Sequence, residues 1–171
     1  MNQESFLQLL RGALQAIREP AFYETERQYQ EELLLQLRAR LGETPIWPGE
    51  AMVEQEYQDS AAVHGLGFRP DLIIHCSFDR SLFDERRPGN YAVLELKRRA
   101  GKKAALQSYA QLERICTELD YAMGIFVNVD ASDIFLPESY GQAGDRLHGF
   151  AVELRADQVH IQEGHPYLSK R

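Results

Sequence analysis

Long apolar runs are absent from this chain. No stretch approaches the roughly 20 consecutive apolar residues that a membrane span requires, so no membrane partner is expected. The opening residues, MNQESFLQLL, are polar and acidic, unlike a secretory leader. Cysteine is scarce as well: Cys76 and Cys116 form no CxxC, and no pair has zinc-ligand spacing with histidine. That argues against a disulfide framework and points to a reduced, cytoplasmic setting. The chain has no GxxxxGK[ST], no GxGxxG and no GxSxG, which disfavours nucleotide-driven motors and serine-hydrolase chemistry. It also lacks a positive surplus. The 19 Lys and Arg against 26 Asp and Glu leave a net charge of -7, so nucleic acid would not be coated by bulk electrostatics, although a local cluster can still meet phosphate.

What is present is the material of one domain: 171 residues, 44% hydrophobic and 26% charged, long enough to bury a core without staples. The pattern divides it into an N-terminal helix over 1–20, a core over 22–130 and a C-terminal hairpin and tail over 145–171. Phe6, Leu9, Leu10, Ala13, Leu14 and Ile17 recur at helical spacing between Ser5 and Arg18, and Glu19-Pro20 ends that segment because a residue before proline is pushed out of the helical region. A second helix is expected over Phe22–Leu41, with Phe22, Tyr29, Leu33, Leu37 and Leu41 on one stripe and Gly42 as its stop. GETPIWPGE reads as a loop. Met52–Tyr57 and Phe68–Cys76 read as an antiparallel strand pair around HGLG, and a polar insertion, Ser77–Gly89, leads to a third strand, Tyr91–Lys97. KKAALQSYAQLERICTELD is then a long helix and AMGIFVNVD a buried strand. Leu147–Leu154 and Gln158–Gln162 form a terminal hairpin turning at RAD. The order implies an α/β class with a mixed sheet packed by helices.

The chemistry concentrates in NYAVLELKRRAGKK, Asn90 to Lys103. Successive strand residues point to opposite faces, so Tyr91, Val93, Glu95 and Lys97 share one face while Ala92, Leu94 and Leu96 share the other. The same count puts Asp71, Ile73 and His75 together on the preceding strand, and if the two strands are neighbours, Asp71 and Glu95 converge at one edge of the sheet. Converging carboxylates repel, and a hard divalent cation relieves them; Mg2+ is commonly held by one or two carboxylates with phosphate and water. Beside it the Lys97 ammonium can orient or activate a water, or stabilise charge building on phosphate oxygens. Such a site suits phosphodiester hydrolysis. Arg69, Arg98, Arg99, Lys102 and Lys103 would then hold the phosphate backbone, against the plainer reading of a solvated helix start.

RPDLII followed by AVLELK, with Pro70-Asp71 and Glu95-Leu96-Lys97 as the signature, resembles the PD-(D/E)xK nuclease superfamily over about residues 22–130. The resemblance implies a restriction-endonuclease-like fold with core order αβββαβ and a Mg2+ or Mn2+ cofactor. It also implies Asp71, Glu95 and the Leu96 carbonyl as metal ligands, Lys97 as the catalytic amine, and DNA as substrate with RNA left open. Homodimers are frequent in that superfamily, and a larger partner protein is an alternative. A glutamate on the helix before the sheet often completes the metal site. At about 100° per residue Glu26 falls about 20° from Leu33, inside the apolar stripe, whereas Glu31 lies about 160° and Glu32 about 100° away, which selects Glu26. The competing role for Glu26 is to cap its helix. Several branches also carry a glutamine on the helix after the Glu-x-Lys strand. Gln107 offers itself, but Tyr109 follows it by two residues rather than four, so an ordinary solvent-facing glutamine stands as the alternative.

Two other classes of function compete. One is a nuclease-fold accessory or nucleic-acid-binding subunit that is inactive alone. The other is an unrelated α/β protein in which Glu95 and Lys97 are a salt-bridged surface pair on an edge strand, with Asp71 far from Glu95.

Overall fold

Asn2 opens the first helix: its side chain accepts a hydrogen bond from the Ser5 N–H at 2.8 Å, pairing one of the donors that a helix start leaves unsatisfied. A computed structural model describes residues 2–41, 45–46, 49–55, 69–76, 89–138 and 141–165. In it α1 runs Gln3–Ala16, burying Phe6, Leu7, Leu10, Ala13 and Leu14, and ends at an extended Ile17 before reaching the expected Arg18.

The second helix starts later than its apolar stripe suggests. Pro20 begins a 3-10 turn, Pro20–Tyr23, and α2 runs Glu26–Leu41. Thr25 sets the start: its hydroxyl oxygen accepts from the Gln28 N–H at 3.1 Å, the first half of a capping box. This restart, in place of a continuous helix from Phe22, makes Glu26 the first residue of α2. Tyr29, Leu33, Leu37 and Leu41 form the buried stripe as expected, joined by Gln30 and Leu34.

Among the described residues seven strands follow: β1 Pro45–Ile46, β2 Gly49–Gln55, β3 Leu72–Cys76, β4 Asn90–Arg98, β5 Met123–Val129, β6 Leu147–Arg155 and β7 Gln158–Gly164. They lie side by side in that order, β1 being only a two-residue extension of the edge. β1 to β4 are antiparallel neighbours, β4, β5 and β6 are parallel, and β7 returns antiparallel to β6. Helix α3, Lys102–Leu119, makes the crossover from β4 to β5 that a parallel pair demands. The class is α/β, a mixed sheet flanked by helices. Part of the expected GETPIWPGE loop is instead the β1–β2 hairpin, and Pro45 is tolerated there because β1 is an edge strand. The terminal hairpin is not an appendage, since β6 extends the sheet beside β5, and its turn is Ala156-Asp157, both at positive φ. Glu56, Tyr57, the HGLG turn, Phe68 and residues 77–88 of the polar insertion lie outside the described residues.

Each face of the sheet has its own cover. Leu72, Ile74, Ala92, Leu94 and Leu96 pack under α1 and α2, while Ile73, Val93 and Phe126 pack under α3. Burying each of these leucine, isoleucine, valine or phenylalanine side chains stabilises the fold by about 1.5–3 kcal/mol. Tyr91 departs from the expected alternation. Ile74 pairs with Ala92 but His75 pairs with Asn90, so Tyr91 is the extra residue of a bulge and turns to the α1 face, edge-on to Phe6 at 5.5 Å. His75 lies at the opposite end of β3 from Asp71, with Nε2 3.4 Å from Glu54 Oε2. Among the described residues no helix is long and apolar enough to cross a membrane.

Candidate active site at the open end of the third and fourth strands

β3 begins at Leu72, opposite Leu94, whereas β4 continues to Arg98. Past Leu94, alternate β4 N–H groups point to where β3 no longer offers a carbonyl, and buried donors need acceptors. Two acids take that place. Asp71 Oδ2 accepts from the Leu96 N–H at 2.7 Å, and Glu26 Oε2 accepts from the Arg98 N–H at 3.1 Å. Both are charge-assisted bonds, stronger than the neutral ladder bonds they replace. Glu26 thus reaches across to the sheet, and the capping of α2 falls to Thr25.

The ammonium of Lys97 stands among the acids. Its Nζ lies 2.9 Å from Glu95 Oε1, 3.3 Å from Glu26 Oε1 and 3.9 Å from Asp71 Oδ2, and it donates to the Leu96 carbonyl at 2.7 Å. Asp71 and Glu95 are therefore within reach of one cation, Glu95 on a strand inside the sheet and Asp71 just ahead of its neighbour β3. That geometry rules out the reading in which Glu95 and Lys97 are an isolated pair on an edge strand.

Burial pushes the Glu95 carboxyl up to about 7, Asp71 and Glu26 adding to the rise while Lys97 opposes it. For Lys97, burial alone would favour the neutral amine, yet its contacts with Glu95, Asp71 and Glu26 outweigh burial and raise its pKa. Three carboxylates gather around the one Lys97 ammonium, the kind of acidic cluster that a divalent cation relieves. The donors are all oxygen, Glu26, Asp71, Glu95 and the Leu96 carbonyl, which suits a hard ion such as Mg2+ or Mn2+. As the side chains stand, with Lys97 between them, no three His, Cys, Asp or Glu among the described residues are arranged to ligate a metal.

The basic residues divide. Arg98 is tied down: its Nε donates to the Tyr23 carbonyl at 2.7 Å and its Nη2 meets Asp130 Oδ2 at 2.8 Å. Arg99, at positive φ, also reaches Asp130 Oδ2 at 2.8 Å, but its side chain is 64% exposed. Lys102 and Lys103 are exposed in the first turn of α3, Lys102 with Glu138 at 3.8 Å, and Arg69 is exposed just ahead of Asp71. Gln107 is exposed on α3, away from the buried Ala105, Tyr109 and Leu112, and is not part of the cluster.

One contributor escaped the sequence reading. Gln30, one turn beyond Glu26 and 3% exposed, donates from Nε2 to the Asp71 carbonyl at 2.9 Å, fixing the backbone that aims the Asp71 carboxylate. The available signal was a second polar residue beside the α2 stripe, four positions after Glu26.

Compared with protein-family models, with curated proteins and with solved structures, the chain matches none.

Proposed function

We propose that the chain is a divalent-metal-dependent nuclease of the PD-(D/E)xK superfamily, with a restriction-endonuclease-like fold, that hydrolyses phosphodiester bonds in DNA. The observation that supports this reading best is the convergence of Glu26, Asp71, Glu95 and the Leu96 carbonyl on the Lys97 ammonium. Mg2+ or Mn2+ held by those four groups would supply Lewis-acid stabilisation of the charge that grows on the phosphate oxygens. Glu26 and Asp71 keep the end of β4 in place through the Arg98 and Leu96 N–H groups, so the ligand oxygens are preorganised. The Lys97 ammonium, beside those groups, would orient the attacking water or donate to a phosphate oxygen. Arg99, Lys102, Lys103 and Arg69 position the strand through its phosphates, without reading bases.

One set of carboxylates per chain cuts one strand at a time, so cutting both strands of a duplex would favour a symmetric dimer. The test is a panel of duplex, single-stranded and branched DNA and RNA, incubated with Mg2+, Mn2+ or EDTA. Cleavage of a DNA substrate that needs the metal supports the reading. Metal-dependent binding without cleavage of any substrate would support the accessory-subunit alternative, and cleavage that persists in EDTA would overturn the assignment.

A further inference from the structure

Strand β5 reads MGIFVNV and is buried from end to end, yet its sixth residue is an asparagine with 0% exposure. A buried amide is costly unless its polar atoms are paired. Asn128 pairs all of them with turns at the end of the sheet that carries the acids. Its Oδ1 accepts from the Ala100 N–H at 2.9 Å, and its Nδ2 donates to the Ala100 carbonyl at 3.1 Å and the Asp133 carbonyl at 2.8 Å. One side chain thus grips both backbone groups of Ala100 and joins the turn after β4 to the turn after β5. The neighbouring bonds work the same way: the Arg99 N–H donates to the Val129 carbonyl at 2.8 Å, and Asp130 receives both Arg98 and Arg99.

The gripped turn, Arg99-Ala100-Gly101, carries Arg99 at its start and hands the chain to Lys102 and Lys103. Arg99 holds a left-handed backbone conformation, φ 51°, which a non-glycine residue keeps only when its surroundings fix it. We propose that Asn128 is a positioning residue for nucleic-acid binding. It holds the Arg99–Lys103 turn where its cations meet the substrate backbone, and it acts on affinity rather than on the chemical step. The inference rests on the reading of Arg99, Lys102 and Lys103 as phosphate contacts.

The experiment compares the wild type, Asn128→Ala, Asn128→Asp and the triple variant Arg99→Ala, Lys102→Ala, Lys103→Ala, using a labelled DNA duplex and oligonucleotide. Binding is measured by anisotropy in Ca2+ across a salt series, and cleavage kinetics in Mg2+. The expected result is a KM raised roughly tenfold in both Asn128 variants with kcat retained, and a salt dependence of log K shallower by roughly 1. A merely structural role would lower the active fraction, and hence the apparent kcat, at unchanged KM. Should neither Asn128 variant fold, hydrogen exchange on the wild type decides: an Ala100 amide further protected by bound DNA supports the grip, and one that exchanges freely with DNA bound contradicts it. Weakened binding by the triple variant but wild-type KM in folded Asn128 variants would overturn the inference alone. Wild-type protein that binds no nucleic acid would overturn it together with the functional reading.

Discussion

The Asp71 carboxylate and the Leu96 N–H, 2.7 Å apart, form the hydrogen bond that β3 would have made had it continued. The same side chain that fits the proposed metal site therefore also holds the end of β4, and substitutions can separate the two roles. Asp71→Asn keeps an acceptor for Leu96, whereas Asp71→Ala leaves a partly buried N–H unpaired. The expectation is a loss of about 1–3 kcal/mol in urea unfolding for Asp71→Ala, under about 1 kcal/mol for Asp71→Asn, and no Mn2+-dependent cleavage by either. Equal stability losses in the two variants would count against the backbone role.

Removing the ammonium should tighten cation binding while abolishing turnover. Lys97→Met takes one positive charge from among Glu26, Asp71 and Glu95 and leaves three acids facing one another. Mn2+ calorimetry at about pH 8.5 should give an affinity higher by about tenfold or more. Weaker Mn2+ binding in a folded Lys97→Met protein would show that the acids do not form the cation site.

The Glu95 carboxyl, pushed up to about 7 from 4.5, makes a signed prediction for the metal-free protein. A carboxyl whose pKa is raised by folding contributes stability that is full below about pH 4.5 and is lost as pH rises through about 7. The loss is on the order of 3 kcal/mol. Wild-type Tm should therefore fall across that window relative to Glu95→Gln, which cannot ionise, and the two curves should run parallel above it. A difference that stays constant from about pH 4.5 to 8 would mean that Glu95 is not held neutral by the fold.

Gln30→Met should keep α2 packed and remove one hydrogen bond, to the Asp71 carbonyl. A stability loss of about 1 kcal/mol is expected, together with a raised Mg2+ requirement for cleavage that excess metal partly restores. Cleavage with an unchanged Mg2+ requirement would reduce Gln30 to a packing role.

Strand alternation makes much of the candidate site legible in the sequence. A period of two forces Val93, Glu95 and Lys97 onto one face, and the counts in β3 and β4 bring Asp71 to the same end. The stripe on α2 singled out Glu26 for a similar reason. Elements with no period were not readable. The late start of α2 depends on Thr25 and Gln28, whose capping pattern is short and was overshadowed by the longer apolar stripe. The Tyr91 bulge is a property of pairing between strands, and one extra residue leaves no trace in the spacing of either. Gln30, Asn128 and Arg98 act through the backbone carbonyls of Asp71, Ala100 and Tyr23 in distant segments, which no sequence pattern announces. Gln107, taken from a motif with altered spacing, lies on the exposed side of α3.

The proposed joint role of Glu26, Asp71, Glu95 and Lys97 in metal-dependent phosphodiester hydrolysis is tested most directly by single-turnover cleavage with folded variants. With Mg2+ and a DNA substrate the wild type should cut, while Lys97→Met, Asp71→Asn and Glu95→Gln should each lose at least about a hundredfold in rate, with Tm shifts too small to explain it. Wild-type cleavage rates in the folded Lys97→Met and Asp71→Asn proteins would contradict the account.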